Sequence, residues 1–168
     1  METIAIYWEK QVKVYGILLK TSLTLVNLKL GPVDSLPWHS LLTQFENNSV
    51  KFELIASVPH NHNENTLTLI LTADQLLIFK TILHKIQHNG TTSFSDSYKI
   101  IDLIYLHGPH FQERFGILSK AIEPLSSHKI EITLSGCAGN SMYIAIAEGL
   151  GKECTEILHN TFHTPTSA

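Results

Sequence analysis

At 168 residues, 43% of them apolar and with a mean hydropathy of +0.07, the chain has room for one compact body or two small lobes, and it is not a disordered tract. Its net charge is −3 and Arg114 is its only arginine, so the clustered cations of a nucleic-acid surface or phosphate clamp are missing and no nucleic-acid partner is expected. Apolar runs fall well short of the ~20 residues of a spanning helix, Met1-Glu2-Thr3 opens no secretory signal, and the two cysteines, Cys137 and Cys154, make no disulfide framework, so a cytoplasmic protein away from membranes is expected.

In chain order, Val12 to Ile17 alternates like a strand, and Leu23 to Leu30 does so again. Gly31-Pro32-Val33-Asp34-Ser35 punctuates, with Asp34 or Ser35 a sound N-cap and Pro37 suited to a first helical turn. Trp38, Leu41, Leu42 and Phe45 then form one helical stripe, which Asn47-Asn48 ends. Val50 to Val58 reads as a strand, Pro59 to Asn65 as a polar hairpin loop and Thr66 to Leu71 as the return strand. Thr72-Ala73-Asp74-Gln75 has the spacing of a capping box, and Leu76, Phe79, Leu83 and Ile86 carry the apolar face of a second helix. Asn89-Gly90 stops it, and Thr91 to Phe94 has room for a short strand.

The same order then recurs. Ile100 to Leu106 reads as a strand, Gly108 to Arg114 as a loop, and Phe115, Leu118, Ile122 and Leu125 as a helical stripe. Ile130 to Leu134 is a strand, Ser135 to Asn140 a tight loop, Met142 to Ala147 a strand and Gly151 to Phe162 a helix. The copies align residue by residue: Leu67 to His88 matches Met142 to His163 without a gap at an offset of 75, sharing Ile-Leu-His and a second His four residues on, at His84/His88 and His159/His163. A period that long marks a duplicated small domain. Each unit runs β-α-β-β-α, which implies an α+β fold of two βαββαβ units, antiparallel sheets with helices on one face in the ferredoxin-like manner. The second unit has no closing strand after Phe162, so Val12 to Ile17 is expected to supply it, with the first unit inserted between the pieces. That gives 19–96 as the inserted unit, 1–18 plus 97–163 as the other, and 164–168 as a disordered tail.

The chemistry the residues could support is narrow. Ten histidines invite a metal, but a catalytic zinc needs three convergent ligands, and histidines late in a helix suit the negative end of its dipole; no metal and no cofactor are expected. Cys137 has no nucleophile signature around it, and Ser135 to Asn140 joins two strands, away from the helix start a phosphate cradle requires. The loops Gly31 to Trp38 and Gly108 to Gly116 differ, because each delivers helix-start N–H groups that accommodate a carboxylate. An ordinary strand-to-helix connection would look the same in sequence.

This order of elements resembles a pair of ACT domains, and more closely the regulatory tail of aspartokinases, in which one ACT domain is inserted in the other. Ile157-Leu158-His159-Asn160-Thr161-Phe162 is similar to that tail's Leu-His-x-x-Phe close, Ile130 to Ile146 with Ser135 and Ser141-Met142 to its serine-rich strand pair, and Val14-Tyr15-Gly16-Ile17 to its opening strand. The Pro-Gly pair that amino-acid-binding ACT domains place at the first helix is divided: Asp34-Ser35-Leu36-Pro37-Trp38 keeps the acid and a proline, Arg114-Phe115-Gly116-Ile117 keeps the glycine. The kinase portion, with its Lys-Phe-Gly-Gly start, is not in this sequence. The resemblance implies a non-catalytic regulatory protein that binds lysine or threonine between ACT units and serves a partner metabolic enzyme. The exposed edges such sheets leave, Val50 to Val58 and Ile130 to Leu134, predict a homodimer or at least a tight face-to-face pair of units within the chain. Its ligand residues would be Asp34, Ser35, Leu36 and Pro37 in the first unit and Phe111, Gln112, Phe115 and Gly116 in the second. The rivals are an interaction module without a ligand, or a subunit of an aspartokinase-like enzyme, and, from another class, a hydrolase using the histidines and a metal.

Overall fold

The computed structural model describes residues 12–30, 38–61, 64–88 and 94–164. Its elements are β1 (Val12–Lys13), β2 (Gly16–Leu30), α1 (Trp38–Asn47), β3 (Leu54–Asn61), β4 (Glu64–Leu71), α2 (Ala73–His88), β5 (Phe94–His107), α3 (Ile117–Ser127), β6 (Ile132–Ala138), β7 (Ser141–Ala147), α4 (Gly151–Thr161) and β8 (Phe162–His163), with a 3-10 turn at Phe111–Glu113. The chain forms two compact units, one of residues 22–101, the other of residues 1–21 and 102–168. We call them the inserted and the split unit. Strands β2 and β5 each contribute one half to either unit.

The inserted unit has the strand order β3-β4-β2-β5, which in its own sequence order is 2-3-1-4. The pairs β2–β4 and β3–β4 are antiparallel, with Val26 opposite Leu69 and Leu28 opposite Leu67. Those residues are buried with Leu41 and Phe45 of α1 and Phe79, Ile82 and Leu83 of α2. Phe45 lies at the centre of this core, its ring centroid 5.3 Å from Phe79 and 5.5 Å from Phe52. The split unit repeats the arrangement with β2-β5-β7-β6, again 2-3-1-4 once the half of β2 from Gly16 to Thr21 is counted as the fourth strand. Its core joins Ile104, Leu106, Met142, Ile144 and Ile146 from the sheet to Ile117, Ala121 and Leu125 of α3 and Cys154 and Leu158 of α4. Both units are therefore α+β sandwiches of the ferredoxin-like kind.

Several local expectations are corrected. The completing strand is Gly16 to Thr21, while Val12 and Lys13 pair in parallel with Phe162 and His163. The separate strands expected at 12–17 and 23–30 are largely one, β2, with Ser22 at φ 55 along it. Likewise 94–107 is a single strand where two were expected. Residues Ser95 to Ile100 are all exposed, so no buried face imposed the alternation by which a strand is recognised. The Pro59 segment is strand rather than loop, with a register shift between Pro59 and Asn61; β3 ends the sheet order, where a missing N–H is tolerated. Leu42 is 41% exposed, outside the buried stripe of α1.

The capping box does not form. Thr72 donates its hydroxyl to Asp74, and Gln75 accepts from Lys51 N at 2.8 Å while donating to Asp74 at 3.0 Å. These donors, Thr72 foremost, hold the Asp74 carboxyl below its usual range. β6 runs to Ala138, through most of the segment expected to be a turn. The reason is Gly136, which faces Tyr143 across the ladder: a Cβ there would lie 2.1 Å from the tyrosine hydroxyl oxygen. Only Gly139, at φ 57, is a turn glycine. The segment 164–168 lies outside the described residues beyond Thr164.

Removing residues 1–21 should expose the flank of β5 and the core beneath Val14, Ile17 and Leu19. Loss of cooperative urea unfolding, or aggregation on size exclusion, is the expected outcome for that truncation.

Candidate functional site

Two helices begin in the split unit, and their starts are handled in opposite ways. The start of α4 is answered from the sheet. Asp102, flanked by Ile100-Ile101 and Leu103-Ile104 in β5 and only 2% exposed, accepts hydrogen bonds through Oδ2 from the N–H groups of Gly149 at 2.9 Å and Gly151 at 3.0 Å. A buried carboxylate must be met by donors, and the first N–H groups of a helix supply them together with the positive end of its dipole. Gly151 makes the approach feasible: a Cβ on it would come within 2.8 Å of Asp102 Oδ2 and 2.5 Å of Leu19 Cδ1.

The start of α3 has no such partner. Its N-cap is Gly116, at φ 72 and ψ 14, which makes no side-chain capping bond. A Cβ there would meet nothing within 4 Å, so the space before the helix is open. Lys120 N already bonds Gly116 O at 3.0 Å, which leaves the first-turn N–H groups directed out of the helix. The left-handed glycine also explains why Phe115, expected in the helical stripe, is fully exposed outside it; the buried face is instead Ile117, Ala121 and Leu125.

The loop before this start is tied to the hairpin of β6 and β7. Gly108 N donates to Asn140 O at 3.0 Å, and Ser141 Oγ lies 2.9 Å from His107 Nδ1. A Cβ on Gly139 would sit 3.9 Å from Gln112 Oε1, so the Gln112 amide faces the turn. His110, in the left-handed region, has Nδ1 3.0 Å from Glu113 Oε2. Of the second unit's expected ligand residues, Gln112 and Gly116 are accessible beside open backbone and Phe115 projects into solvent. Phe111 does not belong with them. It is 1% exposed and packs on Gly108, whose Cβ would fall 2.1 Å from the ring, so it is core. Asp34, Ser35, Leu36 and Pro37 lie outside the described residues. Asp102 and His107 were not singled out from sequence, although an acid amid Ile100-Ile101-Leu103-Ile104 was a visible signal, and Ser141 was named only as part of the serine-rich strand pair.

The remaining chemistry is quiet. Cys154 is buried, and desolvation, then the charges of Glu153 and Asp102, push its thiol up to about 11; burial also raises Cys137. Neither is a ready thiolate. Among the described residues, no three His, Cys, Asp or Glu side chains converge to hold a metal ion, and no helix is long and apolar enough to cross a membrane.

No family model matches the sequence, and no curated protein is detectably similar to it. Solved structures are. The regulatory subunit of aspartate kinase from Thermus thermophilus, in a ligand-free form, superposes with a TM-score of 0.73 at 12% identity over 89% of this chain and 99% of that one. Aspartokinase alpha and beta subunits give 0.70 at 16%, over 88% and 97%. Escherichia coli aspartokinase III in complex with lysine and aspartate gives 0.61 at 15%, over 94% of this chain and 35% of that one. The chain thus has the tandem ACT-type fold of aspartokinase regulatory regions.

Replacing Asp102 by Ala should leave the N–H groups of Gly149 and Gly151 without their acceptor at a buried site and cost about 1–3 kcal/mol. A urea midpoint equal to that of the parent would show that the carboxylate does not hold α4.

Proposed function

We propose that the chain is a non-catalytic regulatory or sensing protein that binds a small amino acid of the aspartate family, lysine or threonine, at its helix-start loops. The observation that carries this reading is the uncapped start of α3 behind an open, left-handed Gly116. The α4 start is an internal precedent: in the same unit, a carboxylate is what such a start accepts. An amino acid brings a carboxylate of its own, and Gln112 offers a neutral hydrogen-bonding neighbour. In the inserted unit Asp34 is proposed to hold the ammonium, with Ser35, Leu36 and Pro37 as the other proposed ligand residues. Support from fold comes from a neighbour that is a regulatory subunit of aspartate kinase, matched over nearly its full length, and from one in complex with lysine and aspartate.

A thermal-shift screen of the twenty amino acids tests it. An effector at 100 times its Kd should stabilise the fold by about 2.7 kcal/mol, a rise of several degrees. Asp34→Ala should weaken that ligand by about 1–3 kcal/mol, and Gly116→Val should remove it from the α3 loop. Normal binding by both variants would place the site elsewhere. The second reading, a docking module for a metabolic enzyme such as a kinase of this kind, is favoured by Phe115, a large apolar side chain standing fully in solvent. A screen in which no amino acid shifts the melting temperature decides for it.

We also propose a homodimer through the strands that end the sheet order, β3 and β6, whose outer backbone groups are available for pairing. Ile55 on β3 is 47% exposed and offers apolar area there. Sedimentation showing only monomer at high concentration removes this claim.

A further inference from the structure

The two copies of the Ile-Leu-His-x-x-x-His segment have taken different structures. In the later copy α4 stops at Thr161, so His163 belongs to β8 and lies opposite Lys13, while His159 Nδ1 is 3.5 Å from Thr164 Oγ1. That pair no longer shares a helical face. In the earlier copy α2 continues through His88, and His84 and His88 stand one turn apart with both rings exposed. Their centroids are 5.9 Å apart and their planes within 14° of parallel.

We propose that His84 and His88 form a bidentate site for a borderline divalent transition-metal ion of the copper, nickel and zinc class. Neutral imidazole is the side chain that suits these ions. Residues four apart on a helix are neighbours, so the backbone already has the spacing of a chelate, and closing it is a matter of side-chain torsions. The position adds to this, because the last turn of α2 is the negative end of its dipole, where a cation is stabilised. Competing groups nearby are already engaged. Thr81 spends its hydroxyl on Leu77 O at 2.9 Å, and Lys80 Nζ sits 4.5 Å from the ring centre of Tyr98. Lys85, the remaining cation of the turn, follows His84 directly and stands three residues before His88, so it is a one-turn neighbour of that ring alone. With only two protein ligands, water completes the coordination, which makes this an exchangeable surface site rather than a structural one.

The test is a calorimetric titration of nickel chloride into the untagged full chain at neutral pH. One ion per chain should bind to this pair, and both His84→Ala and His88→Ala should lose it, with circular dichroism confirming that these exposed substitutions leave the fold intact. A double His159→Ala/His163→Ala variant should keep the ion, because its parent pair is divided between helix and strand. A parent chain that takes up no nickel, single variants at His84 or His88 that bind as before, or loss of the ion in the double variant would each overturn the proposal.

Discussion

The split unit is organised around one buried charge. Asp102 cannot stay inside the protein without donors, and the donors available are the N–H groups that open α4. Satisfying it fixes the register of β5, so that Asp102, Ile104 and Leu106 turn toward the helices together. It fixes residue 151 as glycine, and because Leu19 occupies the same crowded spot, it seats the half of β2 that comes from the other end of the sequence. Strand, helix and returning strand are thereby bound to a single group of atoms.

That arrangement sharpens what is distinctive about α3. Within one unit, the first turn of α4 is permanently met by a carboxylate and that of α3 is not. A helix start that the protein leaves uncapped costs it unsatisfied donors in exchange for an approachable backbone. The glycine at its N-cap is the one residue able to hold φ 72 without strain and without filling the space. Phe115 beside it presents apolar area to solvent, which is equally at odds with folding economy and equally consistent with recognition.

Much of this was legible in the sequence, and the misreadings have physical causes. Helix positions followed from the spacing of Leu41 and Phe45, or of Phe79 and Leu83, because burial there is one-sided and periodic. The duplication was legible because both copies must bury the same face. Strand ends were not. Ser95 to Ile100 is strand by ladder pairing alone, with no apolar face to announce it. Gly136 and Gly139 look alike in sequence, yet one makes room for the Tyr143 ring and the other turns the chain. At the site, Gly116 was identifiable by its place before a helix. Phe111 and Phe115, each beside a turn, could not be told apart until packing put one in the core and the other in solvent.

The pairing of Val12 and Lys13 with Phe162 and His163, together with the placement of Gly16 to Thr21 in the split unit, bears on the order of events during synthesis. The strand made first has no partner until β5 and its successors have left the ribosome, some eighty residues later, an interval on the order of ten seconds. The inserted unit, whose last strand is the first half of β5, is complete only as that partner half begins to emerge. For this interval an apolar strand containing Ile17, Leu18 and Leu19 is an unpaired edge of the kind that invites association with other nascent chains. A duplication that threads one copy through the other therefore exchanges independent folding for a period of dependence on whatever shields that strand.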